Sequence, residues 1–315
     1  MWKYVLKRIG YALLTVFVLA SLTFFMMRML PGDPFIGAKA IPEKTKQMMN
    51  EKYGLDKPVI EQYFIFMGNV ARGDLGTSII SNRPVSQIIA ESFPYSCDLG
   101  IRALVFALIM GVLLGIVASV KRGTLADTGS MLIAIVGVSV PSFIIGSLLQ
   151  YFVCLKFPMW FGWPRIFPVM GWNTEMSKIL PAFALSFSAM ATISRLMRTS
   201  MLDVLSSDYI KTAKAKGLSE RTIVWRHAVR NAIMPVVTVL GPLTAALLTG
   251  AFVVEKIFAI PGLGKFFVQS ITSLDYPVIS GTVIFYGAFL VLANLVVDLL
   301  YGFIDPRVKM TGGKE

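Results

Sequence analysis

Between Ser206 and Pro235 the chain reads SSDYIKTAKAKGLSERTIVWRHAVRNAIMP, a polar and strongly basic stretch set between two long apolar runs. Two short helices are legible in it. Ser206, Ser207 or Asp208 can cap the first, Tyr209, Ile210 and Ala213 are expected on one face, and Gly217 can take the left-handed conformation that ends a helix. Ser219 can cap the second, which runs until Pro235, lacking a backbone N–H, resets the chain. A solvated connection carrying ordinary inner-side charge is the plainer alternative. Paired helices with a lysine-rich rim argue instead for a surface that receives a partner.

The flanking runs decide the environment. The chain is 55% hydrophobic and only 15% charged, with a mean hydropathy of +0.69, more apolar surface than one water-soluble core hides. That places it in lipid. The net charge of +12 invites nucleic acid as a partner, but no basic and aromatic surface module accompanies it, and membrane proteins collect Lys and Arg on their cytoplasmic side.

About six segments approach the roughly 20 residues that cross a hydrocarbon core: Ile9 to Met27, Leu99 to Val120, Ser130 to Val153, Ile179 to Met197, Val236 to Val254 and Ile279 to Tyr301. The first is too long for a secretory signal, and the bulky Met26-Met27-Arg28-Met29-Leu30-Pro31 that follows offers no small-residue cleavage site. Basic residues gather before the first span, at Lys121-Arg122, between Arg195 and Arg230, and at Arg307, Lys309 and Lys314, so both termini are expected in the cytoplasm. The long loop from Arg28 to Cys97 then lies outside. In it, Pro42 to Tyr53 is helix-prone, and Val59 to Val70 places Ile60, Phe64, Met67 and Tyr63 toward one face, for packing on neighbouring spans or on the membrane. Trp160, Trp163 and Trp172 fit an interfacial aromatic belt better than a ligand cage.

Chemistry-bearing constellations are sparse. The nearest imitation of a phosphate-binding G-x-x-x-x-G-K-[ST] loop ends in Gly262-Leu263-Gly264-Lys265, with Ala259 where the first glycine belongs and Phe266 where the hydroxyl belongs, so ATP has no site of that kind here. His227 is the single histidine, which leaves no basis for a histidine metal cluster, an H-E-x-x-H protease or a Ser-His dyad. Cys97 and Cys154 read as two free buried thiols, although both fall near outer span ends where a disulfide is topologically open. Asp98 and Arg102 stand one turn apart and read as a pair, with lining of a substrate path as the alternative. Asp298 is placed to meet Arg195 or Arg198. Pro141, with Gly137, Ser139, Ser142 and Gly146 around it, allows a bend or close helix approach in the third span; Arg102, Ser139, Pro141 and Ser142 are the candidates for a path.

The stretch Lys211-Thr212-Ala213 followed by Gly217, inside a helix-Gly-helix element between spans, resembles the EAA coupling loop of ATP-binding-cassette (ABC) importer permeases. Leu30-Pro31-Gly32-Asp33-Pro34, Gly73-Asp74-Leu75-Gly76-Thr77-Ser78, Pro141-Ser142-Phe143, Val253-Val254-Glu255-Lys256-Ile257-Phe258, Pro261-Gly262-Leu263-Gly264, Asp275-Tyr276-Pro277 and Asp305-Pro306-Arg307 extend the likeness, in order, over nearly the whole chain. Together they resemble the B-type permease subunit of the peptide and nickel ABC importers. The resemblance implies an all-α membrane protein of six transmembrane helices with a type I importer permease fold and a large structured outer loop between helices 1 and 2. It implies a first segment 1–28, an extracytoplasmic loop 29–97, a five-helix core 98–305 containing a coupling loop 201–235, and a cytoplasmic tail 306–315, in a bacterial or archaeal cell membrane.

The implied function is import of oligopeptides or dipeptides, with nickel or another small solute as the alternative and an ATP-independent secondary transporter as a remoter one. The chain itself would be non-catalytic and bind no cofactor. ATP and Mg would sit on two cytoplasmic ATPase subunits, beside a second homologous permease, an extracytoplasmic binding protein and membrane lipid, with no nucleic acid. Tyr209, Ile210, Lys211, Thr212, Ala213, Lys214, Ala215, Lys216 and Gly217 are the implied coupling residues. In the family the position of Lys211 is a glutamate, so a salt bridge from that glutamate to the ATPase does not carry over; shape and apolar contact through Tyr209, Ile210 and Ala213 are expected to dominate, with Lys211, Lys214 and Lys216 as a rim for an acidic groove.

Overall fold

The computed structural model describes residues 2–29, 56–249 and 251–304, with side chains described for 9–29, 56–249 and 251–296. The helix-prone stretch 42–53 and the side chain of Asp298, expected opposite Arg195 or Arg198, therefore lie outside the described residues or side chains. The described chain is helical: α1 (Trp2–Met29), α2 (Val59–Ala71), α3 (Val85–Val120), α4 (Leu125–Ser139), α5 (Ser142–Phe161), α6 (Glu175–Leu205), α7 (Asp208–Ala215), α8 (Glu220–Thr222, Ile223–Ala228 and Val229–Ala232 in succession), α9 (Met234–Thr249), α10 (Phe252–Ile257), α11 (Leu263–Thr272) and α12 (Tyr276–Ile304). Among the described residues, six helical stretches are long and apolar enough to cross a membrane: Ile9–Met29, Val85–Val120, Ser142–Phe161, Glu175–Leu205, Met234–Ile257 and Tyr276–Val296.

The chain divides into two compact units, Met1–Tyr95 with Gly262–Leu295 and Ser96–Pro261 with Val296–Glu315. In the second, α6 is the central helix. Ala189, Met190, Ile193 and Met197 on it are all but fully buried among Leu99, Ala103 and Ala107 of α3. Glycine permits the approach: a Cβ on Gly111 would lie 2.8 Å from Ile193, and one on Gly115 would lie 2.6 Å from Met197. At such distances backbones pack directly, which is how helices associate where lipid removes the hydrophobic drive. Gly137 of α4 meets Phe187 and Ala191 of α6 in the same way.

The expected third span does not run as one helix. It breaks between α4 and α5, where Val140 is extended (φ −97°, ψ 122°) and Pro141 follows at φ −55°, ψ 138°. Proline removes one backbone donor and pushes the residue before it out of the helical region, so the break exceeds the expected bend. Only α5 is long enough to span. Its π-helical section Gln150–Lys156 carries Gln150, whose amide donates to the carbonyls of Val169 (2.8 Å) and Ile257 (3.1 Å).

In the first unit, α2 packs on α1. Tyr63 stacks on Phe25 at 5.2 Å and shares a 2.8 Å hydrogen bond with Ser21, while Phe66 meets Phe24 at 5.3 Å. The packing face is therefore Tyr63 and Phe66; Ile60 and Phe64, expected beside Tyr63, are exposed. The turn at 74–84 is fixed by the buried Asp275, whose carboxylate accepts from the Ser78 hydroxyl (2.5 Å) and the Ile79 backbone N–H (3.1 Å). Phe93 of α3 packs on Phe285 and Phe289 of α12 at 4.8 and 5.0 Å.

Candidate functional site: a helical elbow between two spans

The basic stretch forms an elbow between α6 and α9. Ser207 occupies the N-cap of α7 in extended conformation, but its hydroxyl donates back to the Val204 carbonyl (2.6 Å) instead of capping. Asp208 in the first turn, favourable to the helix dipole, pairs with Lys211 at 2.8 Å. At the other end the Leu218 N–H reaches the Ala213 carbonyl (3.3 Å) and the Gly217 N–H reaches that of Lys214 (2.9 Å). Gly217 is left-handed at φ +76°, the backbone state such a helix ending needs and a side chain resists. Ser219 then caps α8 by accepting from the Thr222 N–H at 3.3 Å.

The elbow has a small core of its own. Ile210 and Ala213 of α7 are buried against Ile223 of α8, with Val204 beside them. Tyr209 is 47% exposed. The expected shared face of Tyr209, Ile210 and Ala213 thus divides: two residues hold the elbow closed, and the aromatic one looks outward with Lys211, Thr212, Lys214, Ala215 and Lys216. Lys214 also meets Glu220 across the turn at 3.4 Å. Further along α8, Val224, Ala228 and Ala232 join the core that contains Met197 and Met201 of α6. The exposed face of α7 is therefore joined through buried contacts to the end of a central helix.

Asp127 is 6% exposed and binds the Arg198 guanidinium on two sides, Nε to Oδ1 at 2.7 Å and Nη2 to Oδ2 at 2.8 Å. It stands just ahead of the apolar run that begins at Ser130. Those bonds, with the Gly123 N–H donating to Oδ2 at 3.0 Å, hold its carboxyl down at about 2. Arg198, expected opposite Asp298, is thus engaged by an aspartate that sequence reasoning passed over.

Arg102 belongs to an ionic corner. It meets Asp98 at 2.7 Å and Glu175 at 2.8 Å; Lys178 meets Glu175 at 2.8 Å and Asp98 at 3.5 Å; and the Trp172 indole donates to Asp98 at 3.2 Å. The expected i to i+4 pair is there; Glu175 and Lys178 pair with each other at i to i+3, but nothing local joins them to Asp98 and Arg102, and Trp172, expected in an interfacial belt, is buried against Asp98 instead. Ser139 and Pro141 flank the α4–α5 break in exposed positions, and Ser142 is half-buried. Cys97 and Cys154 are free, with the Cys154 thiol 3.7 Å from the Pro168 carbonyl.

Six candidate spans, a buried central helix among them and a two-helix elbow between two of them fit the membrane subunit of a transporter. Residues 111–310 match the family described as the binding-protein-dependent transport system inner membrane component, and residues 1–100 match the corresponding N-terminal membrane component; the chain belongs to this family. It is 43% identical over 311 residues to the dipeptide transport system permease protein DppB of Lactococcus lactis, covering 98% of this chain and all of that one. It is 44% identical over 313 residues to the DppB protein of Bacillus subtilis, covering 98% and 99% of the two chains. With the oligopeptide transport system permease protein OppB of Salmonella typhimurium it shares 39% over 312 residues, or 98% and 100% of the chains. A chain of the inward-facing MetNI methionine ABC transporter superposes with a TM-score of 0.52 at 15% identity, over 70% of this chain and 97% of that one, a likeness of fold. The protein is a multi-pass, all-α permease subunit of an ABC importer.

Proposed function

We propose that this chain forms half of the translocation path of an ATP-driven importer for short peptides. The observation that carries the proposal is the identity, over essentially full length, with permeases named for dipeptide transport. Its partners are a second, homologous permease, an extracytoplasmic binding protein that delivers the peptide, and two cytoplasmic ATPases that carry ATP and Mg. Both termini and the 201–235 loop face the cytoplasm, segment 29–97 faces outward, and the tail 306–315 returns inside, in keeping with the basic residues at the inner positions.

The elbow docks on an ATPase. Tyr209 enters its groove, Lys211, Lys214 and Lys216 face an acidic rim, and Ile210, Ala213 and Gly217 keep the elbow's shape. Closure of the ATPases on ATP moves the elbow as a rigid body, and α6 and α9 follow it, so the path alternates between sides. Arg102 and the break at Ser139, Pro141 and Ser142 are the places on this chain for contact with cargo.

The test is co-purification and flux. The chain expressed with its neighbours is expected to bring down a second permease and two ATPases, and peptide-loaded binding protein is expected to stimulate ATP hydrolysis in proteoliposomes. Stimulation by a nickel-loaded binding protein and none by peptide would replace the peptide assignment.

A further inference from the structure

A cavity of about 660 Å³ lies within the unit formed by Met1–Tyr95 and Gly262–Leu295, lined among others by Phe24, Arg28, Phe66, Asn69, Asp74 and Tyr276. Its depth in the membrane follows from two span ends. Arg28 is in the last turn of the span Ile9–Met29 and Tyr276 is the first residue of the span Tyr276–Val296. They meet, with the guanidinium 5.8 Å from the Tyr276 ring centre and 5.3 Å from that of Phe24. A place where two apolar spans end together is the level of lipid headgroups.

The charges of the cavity are arranged for a guest. Ring contacts engage the face of a guanidinium and leave its five N–H donors free for an oxyanion. Among the described residues, no carboxylate forms an ion pair with Arg28. Asp74 lines the same cavity, with Oδ1 accepting the Gly76 N–H at 2.8 Å. One cation and one anion, both lining the space and not closed on each other, match a zwitterion and disfavour a simple anion. Phe24, Met27, Ile65 and Phe66 give the cavity an apolar side, and nearby on α1 Leu22 and Met26 are 56% and 61% exposed.

We propose that this cavity seats a zwitterionic phospholipid headgroup bearing a primary amine, of the phosphoethanolamine type. The phosphate takes the Arg28 guanidinium, the ammonium takes the Asp74 carboxylate, Asn69 offers its amide to the phosphate or glycerol oxygens, and the first acyl carbons lie against Phe24 and Phe66. The volume is in the range of sites that enclose a small ligand. The lipid would tie the outer ends of the first and last spans to the loop at 74–84.

The test uses the purified importer complex in nanodiscs holding phosphatidylethanolamine and phosphatidylglycerol in equal parts, released into detergent and weighed by native mass spectrometry. The wild type is expected to retain phosphatidylethanolamine over phosphatidylglycerol. Arg28→Gln is expected to lower retained lipid about tenfold, the size of a lost charge-assisted contact, and Arg28→Lys to keep most of it, which separates loss of charge from misfolding. Asp74→Asn is expected to keep a phospholipid but move the preference to phosphatidylglycerol. Unchanged retention in Arg28→Gln, or a wild-type preference for phosphatidylglycerol, would overturn the proposal. So would displacement of the lipid by micromolar Ala-Phe, which assigns the cavity to peptide, or by inorganic phosphate, which assigns it to a soluble anion.

Discussion

Two corners of the Ser96–Pro261 unit solve the same task, joining helices at their ends, by opposite means. The elbow of α7 and α8 hides Ile210, Ala213 and Ile223 in a dry cluster and leaves its charges outside. The corner at Asp98, Arg102, Glu175 and Lys178 has its charges as the joint, with Asp98 and Arg102 side chains 36% and 35% exposed. Apolar burial is not weakened by charge screening, whereas half-exposed ion pairs are screened by salt and contribute little singly. The elbow's joint should therefore hold across ionic strengths, and the ionic corner should loosen as salt rises.

Substitutions can push this contrast to failure. The largest effect is expected from Ile210→Asp, which places an unpaired charge in the elbow's core; ATPase subunits should fail to co-purify and uptake should fall to background. Ile210→Ala should cost about 2 to 4 kcal/mol locally, read as earlier protease cleavage in the 206–235 stretch, with reduced uptake. Gly217→Val should follow, because a β-branched residue at φ +76° costs about 1 to 3 kcal/mol; weaker ATPase co-purification reports it. Arg102→Gln should leave assembly intact, and its effect on transport should be seen at low salt and shrink at high salt. Equal effects at both would remove the contrast.

The smallest effect concerns acid. Asp127 keeps its carboxyl at about 2 in the folded protein, against about 4 in an unfolded chain. A depressed carboxylate contributes stability that is complete above the unfolded value and is lost as pH falls toward the folded one. Asp127→Asn should thus lower thermal stability at pH 7 and make it less dependent on pH between about 4 and 2, as followed by melting in detergent.

Local patterns in the sequence revealed much of this, and long-range ones did not. Gly217 and Ser219 announce their turn and cap by residue type, and Asp98 with Arg102 shows its pairing by spacing. The break at Pro141 was hidden because residues on both sides are apolar, and hydropathy does not register a broken helix. The first turns of α3 escaped because Ser86, Gln87, Ala90 and Glu91 face out while Val85, Ile88, Ile89 and Ser92 are buried, a helical period that reads as polar on average. On α7, Tyr209 lies about 100° from Ile210 around the helix. Periodicity allows either to pair with Ala213, and Ile223, from the next helix, decides it. Asp127 and Arg198 are 71 residues apart, beyond any local signal.

We propose that the elbow meets its ATPase with Tyr209 and keeps Ile210 for itself. It is tested most directly by single cysteines at 209 and at 210, in a chain with Cys97 and Cys154 replaced by serine, crosslinked in membranes to the co-expressed ATPase. Tyr209→Cys is expected to crosslink strongly to the ATPase and to arrest ATP-dependent transport while the bond holds, whereas Ile210→Cys stays unreactive. Crosslinking at 210 with none at 209, or none at either position while transport persists, would contradict it.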